Sequence, residues 1–593
     1  MLRLTLFLLL CFSSLQSFAQ SEQHIWPTNA SRHLSSTFGE TRAAHFHAGL
    51  DIKTWGREGY KVYATKSGTL HRILITNKGY GKALYLKHND GTYTVYAHLQ
   101  RFNSRIQAIA DSARLKDYSY EMDLYLDQDS VYIEQGDVIA YTGSTGIGPP
   151  HLHYEIRDVL NEPTNPLFAD FPIKDTKPPV FRSVLVEPLN KNTLIEGAPY
   201  PKSFALDEDE TLNVYANGPV GLAVNVYDPA DEVYNKYAVY ELILTSKTDT
   251  LFYQRKDEFS FHQAPLMFLD RVPDFKSDRR NFQRLYKHEN IDHPFIIIDK
   301  TKETTLAAQD TLTLTAKDFF GNSSSTRILV QEQAVDFNTT THSQGDYWTF
   351  NWKAEHNRIV NFRNFDQGVI WDSQNQQRLI EFPHDLNKSI ARLAPSTNSW
   401  LSTPDRNLSL HFDTESLFDT TSFTFDYYLK NDTTFIEVGN PQIPLKNGYD
   451  ILFYLEGMQS DSTLRLYEID DEEFDYIDSK VQGHSLRAYP NSFGTFVILN
   501  DTTAPSIQSI EKVTLGDGQE SYSIQTSDNL SGVDFKSAIF KINDAQGIAE
   551  YDYEGDYFTF YLPNIVLKKE NNVYFEVRDK AGNLSTKSFL LKN

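Results

Sequence analysis

The chain has 593 residues, a formal net charge of −23, 34 tyrosines, 39 phenylalanines and one cysteine. This length suggests about four domains of roughly 150 residues each, and the negative charge argues against binding through nucleic-acid phosphates. Because Cys11 is the only thiol, we expect no disulfide, and each domain must be stabilised by its own hydrophobic core.

The first residues have the order of a secretory signal. Met1-Leu2-Arg3 is positively charged, residues 4–12 are apolar, and Ser17-Phe18-Ala19 is a small-x-small cleavage site. No later segment approaches the ~18 to 20 apolar residues that a membrane span requires. We therefore predict a signal peptide at residues 1–19, removal of Cys11 with it, and export of a protein without a membrane span to the periplasm, the cell surface or the medium.

Metal-capable side chains recur in three short motifs of the next region. The motifs read His47-Ala48-Gly49-Leu50-Asp51, Tyr96-Ala97-His98-Leu99 and His151-Leu152-His153. Four imidazoles and a carboxylate suit a divalent zinc ion with an open coordination position. A catalytic zinc takes three protein ligands, which would leave two imidazoles for proton transfer.

The residues around these motifs favour strands. Residues 150–156 alternate polar and apolar side chains, so His151 and His153 should project from one face of a strand. Residues 93–99 are rich in aromatic and branched side chains, which predicts one strand that carries His98. In the first motif we predict a strand end or loop in which Gly49 lets the backbone bend.

Together these motifs resemble peptidase family M23, the zinc metallopeptidases of the lysostaphin or LytM type. Further segments follow in family order, among them Phe38-Gly39, Val62-Tyr63-Ala64, Gly79-Tyr80-Gly81 and Gly143-Ser144-Thr145-Gly146. The resemblance implies a compact, mostly antiparallel β domain with zinc held by His47, Asp51 and His153. It also implies that His98 and His151 are catalytic, and that the zinc-activated water attacks peptide bonds of peptidoglycan stem peptides or cross-links.

The chain departs from the family pattern in two places near these motifs. The loop at residues 146–150 is one residue shorter than usual. Some members place a transition-state tyrosine before the first histidine, but residues 31–46 contain none. Arg42 is therefore our candidate for a substrate-binding side chain.

An insertion follows the second motif. Residues 102–135 begin with an amphipathic helical pattern at 104–114 and continue with a polar-apolar alternation at 120–126. We expect this insertion to form one wall of a groove. Glu155 follows the histidine pair on the same face, where it is either a partner that orients an imidazole or a solvent-facing carboxylate.

Three other histidines are better explained without a metal. His45 lies two residues before His47 and would share its face in a strand, but the family order selects His47. His71 is interpreted as an exposed or packing residue, and His88 as a polar residue at the end of a strand over residues 82–88.

The rest of the chain contains an internal repeat of two short sequence motifs. Asp175-Thr176-Lys177-Pro178 and Asp501-Thr502-Thr503-Ala504-Pro505 open two segments, and Asp318-Phe319-Phe320-Gly321-Asn322 and Asp579-Lys580-Ala581-Gly582-Asn583 lie near their ends. Proline disfavours helix before it and Gly-Asn favours a tight turn, so each segment is predicted to be a β-sandwich with a late hairpin. Both segments resemble bacterial immunoglobulin-like domains.

The predicted organisation is mostly β, with tandem β-sandwiches after the first domain. It comprises a peptidase domain at 20–173, sandwiches at 174–333 and 501–593, and an irregular β domain at 334–500.

Two functions compete. The first is an exported zinc endopeptidase of peptidoglycan, with its activity upstream of about Lys174. The second is a non-catalytic cell-wall binding, regulatory or scaffold protein that retains the peptidase fold. In either case the sandwiches are candidate surfaces for protein partners.

Overall fold

The computed structural model describes residues 22–127, 131–189, 193–196, 201–207, 210–272, 281–287, 291–301, 306, 311–332, 358–360, 367–371, 377–381, 389–418, 420–439, 441, 443–455, 463–470 and 473–592. Strands dominate these residues, which confirms the predicted mostly β fold. The predicted signal peptide at 1–19 lies outside the described residues. Within the described part of the chain, no helix is long and apolar enough to cross a membrane.

The N-terminal region consists of short strands, one α-helix and a 3-10 helix. In chain order they are β1 Leu34–Ser36, β2 Leu50–Lys53, β3 Lys61–Tyr63, β4 Gly68–Ile75, β5 Lys82–His88, β6 Tyr93–Ala97, β7 Leu99–Phe102, α1 Ser104–Arg114, β8 Met122–Tyr125, β9 Tyr132–Ile133, β10 Val138–Thr142, β11 His151–Arg157, β12 Pro163–Thr164 and the 3-10 helix Pro166–Ala169. The main sheet has the order β1-β2-β11-β6-β5-β4-β8, with β12 beside β11 and β9 beside β4. A second sheet has the order β3-β10-β7.

Strand β11 lies in the middle of the main sheet and separates the core from the site. Its neighbours are β2 and β6, both antiparallel to it. Leu152 and Tyr154 are completely buried on one face, as the alternation predicts, while His151 and His153 lie on the other. Sheet register also pairs His153 with Asp51 of β2, which brings residues from the first and third motifs together.

Gly49 has a different role from the predicted one. Its φ is not positive, so the backbone makes no glycine-specific bend there. A Cβ at this position would lie 2.3 Å from the carbonyl oxygen of Tyr154. Glycine is therefore needed because the backbone before β2 approaches β11 closely.

The predicted single strand over residues 93–99 is wrong at His98. Strand β6 ends at Ala97, and His98 adopts a left-handed conformation with φ 57°. The chain then enters β7, which belongs to the other sheet. His98 therefore occupies the crossing between two sheets, where the backbone turns its side chain toward the end of β11.

The insertion follows its predicted pattern closely. Helix α1 covers the predicted residues 104–114, and the side chain of Asn103 caps it by accepting a hydrogen bond of 2.9 Å from the Ile106 amide. Strand β8 falls within the predicted alternation at 120–126 and pairs with β4.

The second region forms two six-stranded sheets over one core. Its elements are β13 Val180–Pro188, β14 Lys202–Ala205, β15 Thr211–Ala216, β16 Val220–Pro229, β17 Lys236–Tyr237, β18 Glu241–Thr245, β19 Thr250–Arg255, the 3-10 helix Phe261–Leu266, α2 Met267–Asp270, β20 Arg271–Val272, β21 Phe282–Arg284, β22 Ile296–Asp299, β23 Leu312–Lys317 and β24 Ser323–Glu332. The orders are β14-β13-β16-β21-β20, with β17 beside β16, and β15-β24-β23-β18-β19-β22. The pair β15-β24 is parallel, and β23-β24 is the predicted late hairpin.

The predicted irregular domain at 334–500 contains a small sheet and then two larger ones. The small sheet is β25 Arg358–Val360, β26 Gln367–Trp371 and β27 Gln377–Glu381. The following strands are β28 Ser389–Leu393, β29 Ser399–Ser402, β30 Leu408–Phe412, β31 Thr421–Lys430, β32 Thr433–Val438, β33 Asp450–Tyr454, β34 Leu464–Asp470, β35 Glu473–Ile477, β36 Ser479–Gln482, β37 Ser485–Ala488 and β38 Gly494–Asn500. Their sheets, β28-β31-β32-β38-β34-β35 and β29-β30-β33-β37-β36, enclose a core of their own.

The C-terminal region is a single path of seven strands. They are β39 Ser506–Thr514, β40 Glu520–Ser527, β41 Val533–Ile542, β42 Ala545–Asp552, β43 Tyr557–Tyr561, β44 Glu570–Asp579 and β45 Leu584–Lys592, in the order β39-β40-β43-β42-β41-β44-β45. The rings of Phe558 in β43 and Phe575 in β44 pack 5.1 Å apart, so the two halves of the path face each other. Strands β44 and β45 form the second predicted hairpin. The domain boundaries and the immunoglobulin-like resemblance stay predictions.

The N-terminal region packs against both the second and the C-terminal regions. Phe46 lies 4.9 Å from the ring of Phe295. On the other side, Glu550 of β42 forms ion pairs with Lys82 of β5 at 2.9 Å and with Arg114 of α1 at 2.7 Å. The residues upstream of Lys174 therefore do not stand alone in the structure.

Candidate metal centre

Side chains from the first and third motifs meet at the open face of β2 and β11. His47 Nε2 lies 3.0 Å from Asp51 Oδ1 and 3.0 Å from His153 Nδ1, and His153 Nδ1 lies 2.9 Å from Asp51 Oδ1. All three residues are buried. The predicted ligand set is therefore brought together with three potential ligand atoms at one point.

The outer hydrogen bonds of the two imidazoles decide which nitrogen faces this point. His47 Nδ1 donates to the carbonyl oxygen of Thr37 at 2.8 Å, because a carbonyl can only accept. His153 Nε2 donates to Glu155 Oε1 at 2.7 Å. When a cation is bound, His47 Nε2, His153 Nδ1 and Asp51 Oδ1 therefore present three lone pairs to it, a donor set that fits zinc.

The titration behaviour of Asp51 and His153 agrees with a site built for positive charge. Burial opposes ionisation of Asp51, but His47 and His153 outweigh it and hold the Asp51 pKa well below its usual value. Burial also lowers the pKa of His153, yet hydrogen bonds to Asp51 and Glu155 raise it to about 9. A proton on His153 Nδ1 thus lies where a bound cation would lie.

Arg42 contacts the metal centre through the outer oxygen of a predicted ligand. Its Nη2 donates to Asp51 Oδ2 at 2.6 Å and to Ser36 Oγ at 2.7 Å. Because Asp51 Oδ1 faces the two imidazoles, this ion pair leaves the ligand oxygen free and fixes the carboxylate plane. The substrate-binding role of Arg42 stays a prediction, and its position shows in addition a contact that orients Asp51.

Glu155 is completely buried on the metal side of β11, which excludes the solvent-facing alternative. Besides His153, its carboxylate accepts hydrogen bonds from Arg157 Nε at 2.5 Å and from Tyr80 OH at 2.6 Å. Burial opposes the ionisation of Glu155, but Arg157 and His153 lower its pKa to about 2. The carboxylate is therefore charged and holds His153 in one orientation.

Replacing Glu155 with glutamine should weaken zinc binding by about 10-fold to 100-fold, because the amide lacks the negative charge and has only one accepting oxygen for the donors of His153, Arg157 and Tyr80. A zinc-chelator competition titration measures this change. Glu134→Gln, at an exposed carboxylate, is the matched control and should leave the affinity unchanged. Equal affinities of the two variants would contradict the orienting role of Glu155.

The two predicted catalytic histidines lie side by side next to these ligands. The ring centroids of His98 and His151 are 4.4 Å apart, and His98 is 5.8 Å from His153. His98 Nδ1 donates to the carbonyl oxygen of Thr145 at 2.9 Å, and His151 Nδ1 donates to that of Pro149 at 2.8 Å. In the neutral form of each ring, these hydrogen bonds therefore place the proton on Nδ1 and leave the lone pair on Nε2.

The shortened loop at residues 146–150 is held from two sides. Thr145 Oγ1 donates to the Leu99 carbonyl at 2.8 Å and accepts from the Lys82 amide at 2.9 Å. Across the domain interface, Glu554 Oε1 accepts a hydrogen bond of 2.9 Å from the Gly148 amide. The loop still delivers His151 to the metal centre, with His151 Nε2 at 3.6 Å from Asp51 Oδ1.

A cavity of about 840 Å³ lies beside this loop, between the N-terminal and C-terminal regions. One wall comes from the insertion and includes Gln107, Asp111 and Leu115. The facing wall comes from the C-terminal region, including Tyr553 and Tyr561. The imidazoles do not line the cavity, but the loop at Ser144–Gly146 borders it and joins it to the metal centre.

Several residues that support the site carried no assigned role in the sequence analysis. Tyr80 and Arg157 hold Glu155, while the carbonyl oxygens of Thr37 and Thr145 hold imidazoles. Arg157 continues the alternation of His151, His153 and Glu155 along β11, so the period of the strand was an available signal. The two carbonyls have no signature in side-chain chemistry.

The three histidines set aside from the motifs lie outside the metal centre. His45 is exposed in a turn, and His71 packs its ring against Tyr93 and Tyr125. His88 ends β5 as predicted and is buried there, with hydrogen bonds to the Ser67 carbonyl and the Thr94 hydroxyl.

Residues 45–112 match the sequence model of peptidase family M23. This segment contains His47, Asp51 and His98, whereas His151 and His153 lie beyond it. The catalytic domain of the antimicrobial peptidase lysostaphin from Staphylococcus simulans shares 22% identity over 23% of this chain and 92% of that one, with a TM-score of 0.18.

Two curated relatives carry different names. The DD-carboxypeptidase/endopeptidase Mpg of Neisseria meningitidis is 31% identical over 148 residues, which are 23% of this chain and 27% of that protein. The murein hydrolase activator NlpD of Escherichia coli is 29% identical over 142 residues, 24% of this chain and 30% of that protein. The chain thus spans less than a third of the length of either relative.

Proposed function

Since the chain contains a peptidase family M23 domain, we propose that it is an exported zinc endopeptidase that hydrolyses peptide bonds in peptidoglycan. The observation that carries this proposal is the convergence of His47, Asp51 and His153 on one point, with the free Nε2 atoms of His98 and His151 beside it. A protein that needed only the fold would not require five such groups on one open face.

A zinc ion held by His47, Asp51 and His153 would act as a Lewis acid and activate water for attack on a peptide carbonyl. Glu155 and Thr37 keep the two ligand imidazoles in the tautomers that this requires. Arg42 neutralises the outer oxygen of Asp51. The remaining steps are proton transfers and the stabilisation of charge on the substrate oxygen.

We assign the proton-accepting role to His151. Its Nε2 lies 3.6 Å from Asp51 Oδ1, so a carboxylate is in place to stabilise the imidazolium. Among the described residues, no carboxylate oxygen forms an ion pair with His98, and burial together with the His151 and His153 rings lowers the His98 pKa to about 3. His98 therefore stays neutral and suits the role of a residue that contacts the substrate.

The second candidate is a non-catalytic activator or binding protein of the cell wall. The activator relative and the shortened loop at residues 146–150 favour this alternative. Against it stands the complete set of ligand and proton-transfer groups. In both cases the substrate or target is peptidoglycan, and the β-sandwich regions remain candidate surfaces for protein partners.

Metal analysis and turnover of the full-length protein decide between these functions. We expect one zinc ion per chain, and release of cleaved stem peptides from purified peptidoglycan, with the bond identified by mass spectrometry of defined muropeptides. A zinc-loaded protein without turnover on either substrate would favour the activator. A protein that takes up no zinc at neutral pH would refute the metal centre itself.

A further inference from the structure

Carboxylates also converge at two points outside the metal centre. The first carboxylate cluster consists of Asp175, Asp228 and Asp318, which offer ligand oxygens within 4.8 Å of one another. All three residues are buried, Asp228 to the extent that only 2% of its surface is exposed. Such a group is costly to bury unless a positive charge accompanies it.

The described residues supply no such charge to the first carboxylate cluster. Among the described residues, no lysine, arginine or histidine nitrogen forms an ion pair with any of its three carboxylates. The buried oxygens Asp228 Oδ1 and Asp175 Oδ2 have no hydrogen-bond partner at all.

The second carboxylate cluster, Asp501, Asp528 and Asp579, repeats this arrangement in the C-terminal region. In each cluster one carboxylate opens the sandwich and another begins the Asp-x-x-Gly-Asn turn. The asparagine of each turn bridges these two: Asn322 Nδ2 donates to the Asp175 carbonyl at 3.2 Å, and Asn583 Nδ2 donates to the Asp501 carbonyl at 2.9 Å. Here too one buried oxygen, Asp528 Oδ1, lacks a partner.

We propose that each carboxylate cluster is a calcium site. Three carboxylates without nitrogen or sulfur ligands suit a hard cation. Oxygens within 4.8 Å of one another can lie around a calcium ion, whose ligands stand about 2.3 to 2.6 Å from the metal, whereas magnesium needs a tighter octahedron. A calcium ion supplies the missing positive charge. The unpartnered oxygens of Asp228, Asp175 and Asp528 become its ligands.

The first carboxylate cluster lies next to the contact between the N-terminal region and the second region, so a bound ion there has a structural role. Asp228 lines a small cavity of about 20 Å³ together with Thr37 and Phe38 of the N-terminal region. Across this joint, the Ala238 amide donates to Thr37 Oγ1 at 3.0 Å, and the Thr37 carbonyl holds His47. Calcium therefore stiffens the joint between the peptidase region and the next sandwich, on the side that supports a zinc ligand.

Calorimetric titration of the full-length protein tests this proposal. The protein is freed of metal with EDTA, reloaded with one equivalent of zinc and titrated with calcium chloride. We expect two calcium ions per chain for the wild type, one for Asp228→Asn and none for the Asp228→Asn, Asp528→Asn double variant. Asp432→Asn, in an exposed hairpin turn, is the matched control and should still bind two.

Thermal unfolding provides a second readout, and the wild-type protein alone already gives a test. Saturating calcium should raise the first transition of the wild type by roughly 2 to 4 °C or more, and magnesium should raise it less. Asp228→Asn should show a smaller calcium shift, and without calcium it should be at least as stable as the wild type because a repulsion is removed. Absence of calcium binding, equal binding of magnesium, or two bound ions in the double variant would overturn the proposal.

Discussion

Replacing His151 with alanine should greatly slow hydrolysis while one zinc ion stays bound, whereas replacing Asp51 with alanine should remove most of the zinc. His151 Nε2 lies 3.6 Å from Asp51 Oδ1. Because both residues are at the same place, a difference between the variants reports the different roles of the two side chains. Asp51 Oδ1 faces both ligand imidazoles, and its loss also leaves Arg42 without its carboxylate partner. His151 makes its outer hydrogen bond to Pro149 and contributes no atom to the predicted ligand set.

The expected fall in turnover for His151→Ala is about 10²-fold to 10⁴-fold, the usual contribution of a positioned acid or base. Turnover on muropeptides and zinc content are measured on the same samples. His71→Ala removes an imidazole that packs on Tyr93 away from the metal centre, so both quantities should match the wild type. Loss of zinc from His151→Ala together with its retention in His153→Ala would reverse the assigned roles.

Replacing Glu550 with glutamine should destabilise the interface between the N-terminal and C-terminal regions by about 3 to 5 kcal/mol. The side chain of Arg114 is completely buried, and Glu550 lies 2.7 Å from it while Asp111 is 3.5 Å away. Without the Glu550 charge, the guanidinium is left largely uncompensated in the interface. Differential scanning calorimetry of the full-length protein should show a lower temperature for the transition of these regions.

Glu520→Gln is the control for this variant. Glu520 also forms an ion pair in the C-terminal region, with Lys512 at 2.8 Å, but its side chain is 56% exposed, so we expect a change below about 1 kcal/mol. Equal transitions for Glu550→Gln and Glu520→Gln would show that the interface does not depend on Arg114 and Glu550.

The same ion pairs predict a pH dependence. Burial opposes ionisation of Glu550, but Lys82 and Arg114 lower its pKa from 4.5 to about 2. A folded-state pKa below the unfolded value means that the stabilisation is present above pH 4.5 and is lost as the pH falls toward 2. Glu550→Gln should therefore lose less stability than the wild type between pH 5 and pH 3.

Local periodicity explains which parts of the site could be predicted from the sequence. The alternation along β11 predicted the shared face of His151 and His153, because a strand has a strict period of two. The same rule failed at His98, where a left-handed residue with no glycine to mark it breaks the strand between two sheets. The carbonyl of Thr145 that fixes this ring also has no signature in the sequence.

Contacts between distant segments could not be predicted from the sequence, for a different reason. Arg114 was part of a predicted amphipathic helix, but nothing local indicates that its partner is Glu550. The two carboxylate clusters could be predicted from the sequence only in part. The internal repeat in the sequence marked Asp175, Asp318 and their counterparts, whereas Asp228 and Asp528 lie in segments that share no obvious spacing and meet the others only in the folded sheets.

The ion pair between Lys82 and Glu550 joins residues 468 positions apart. At a synthesis rate of ~5 to 20 residues per second, the intervening residues take roughly 20 to 90 s to make, so this contact cannot form earlier than that after Lys82 is added. During that interval the guanidinium of Arg114 remains hydrated and the wall opposite Gln107 is missing. A chain that ends before the C-terminal region keeps its histidines but never acquires the facing wall of the cavity, so the cavity is complete only in a chain that contains this region.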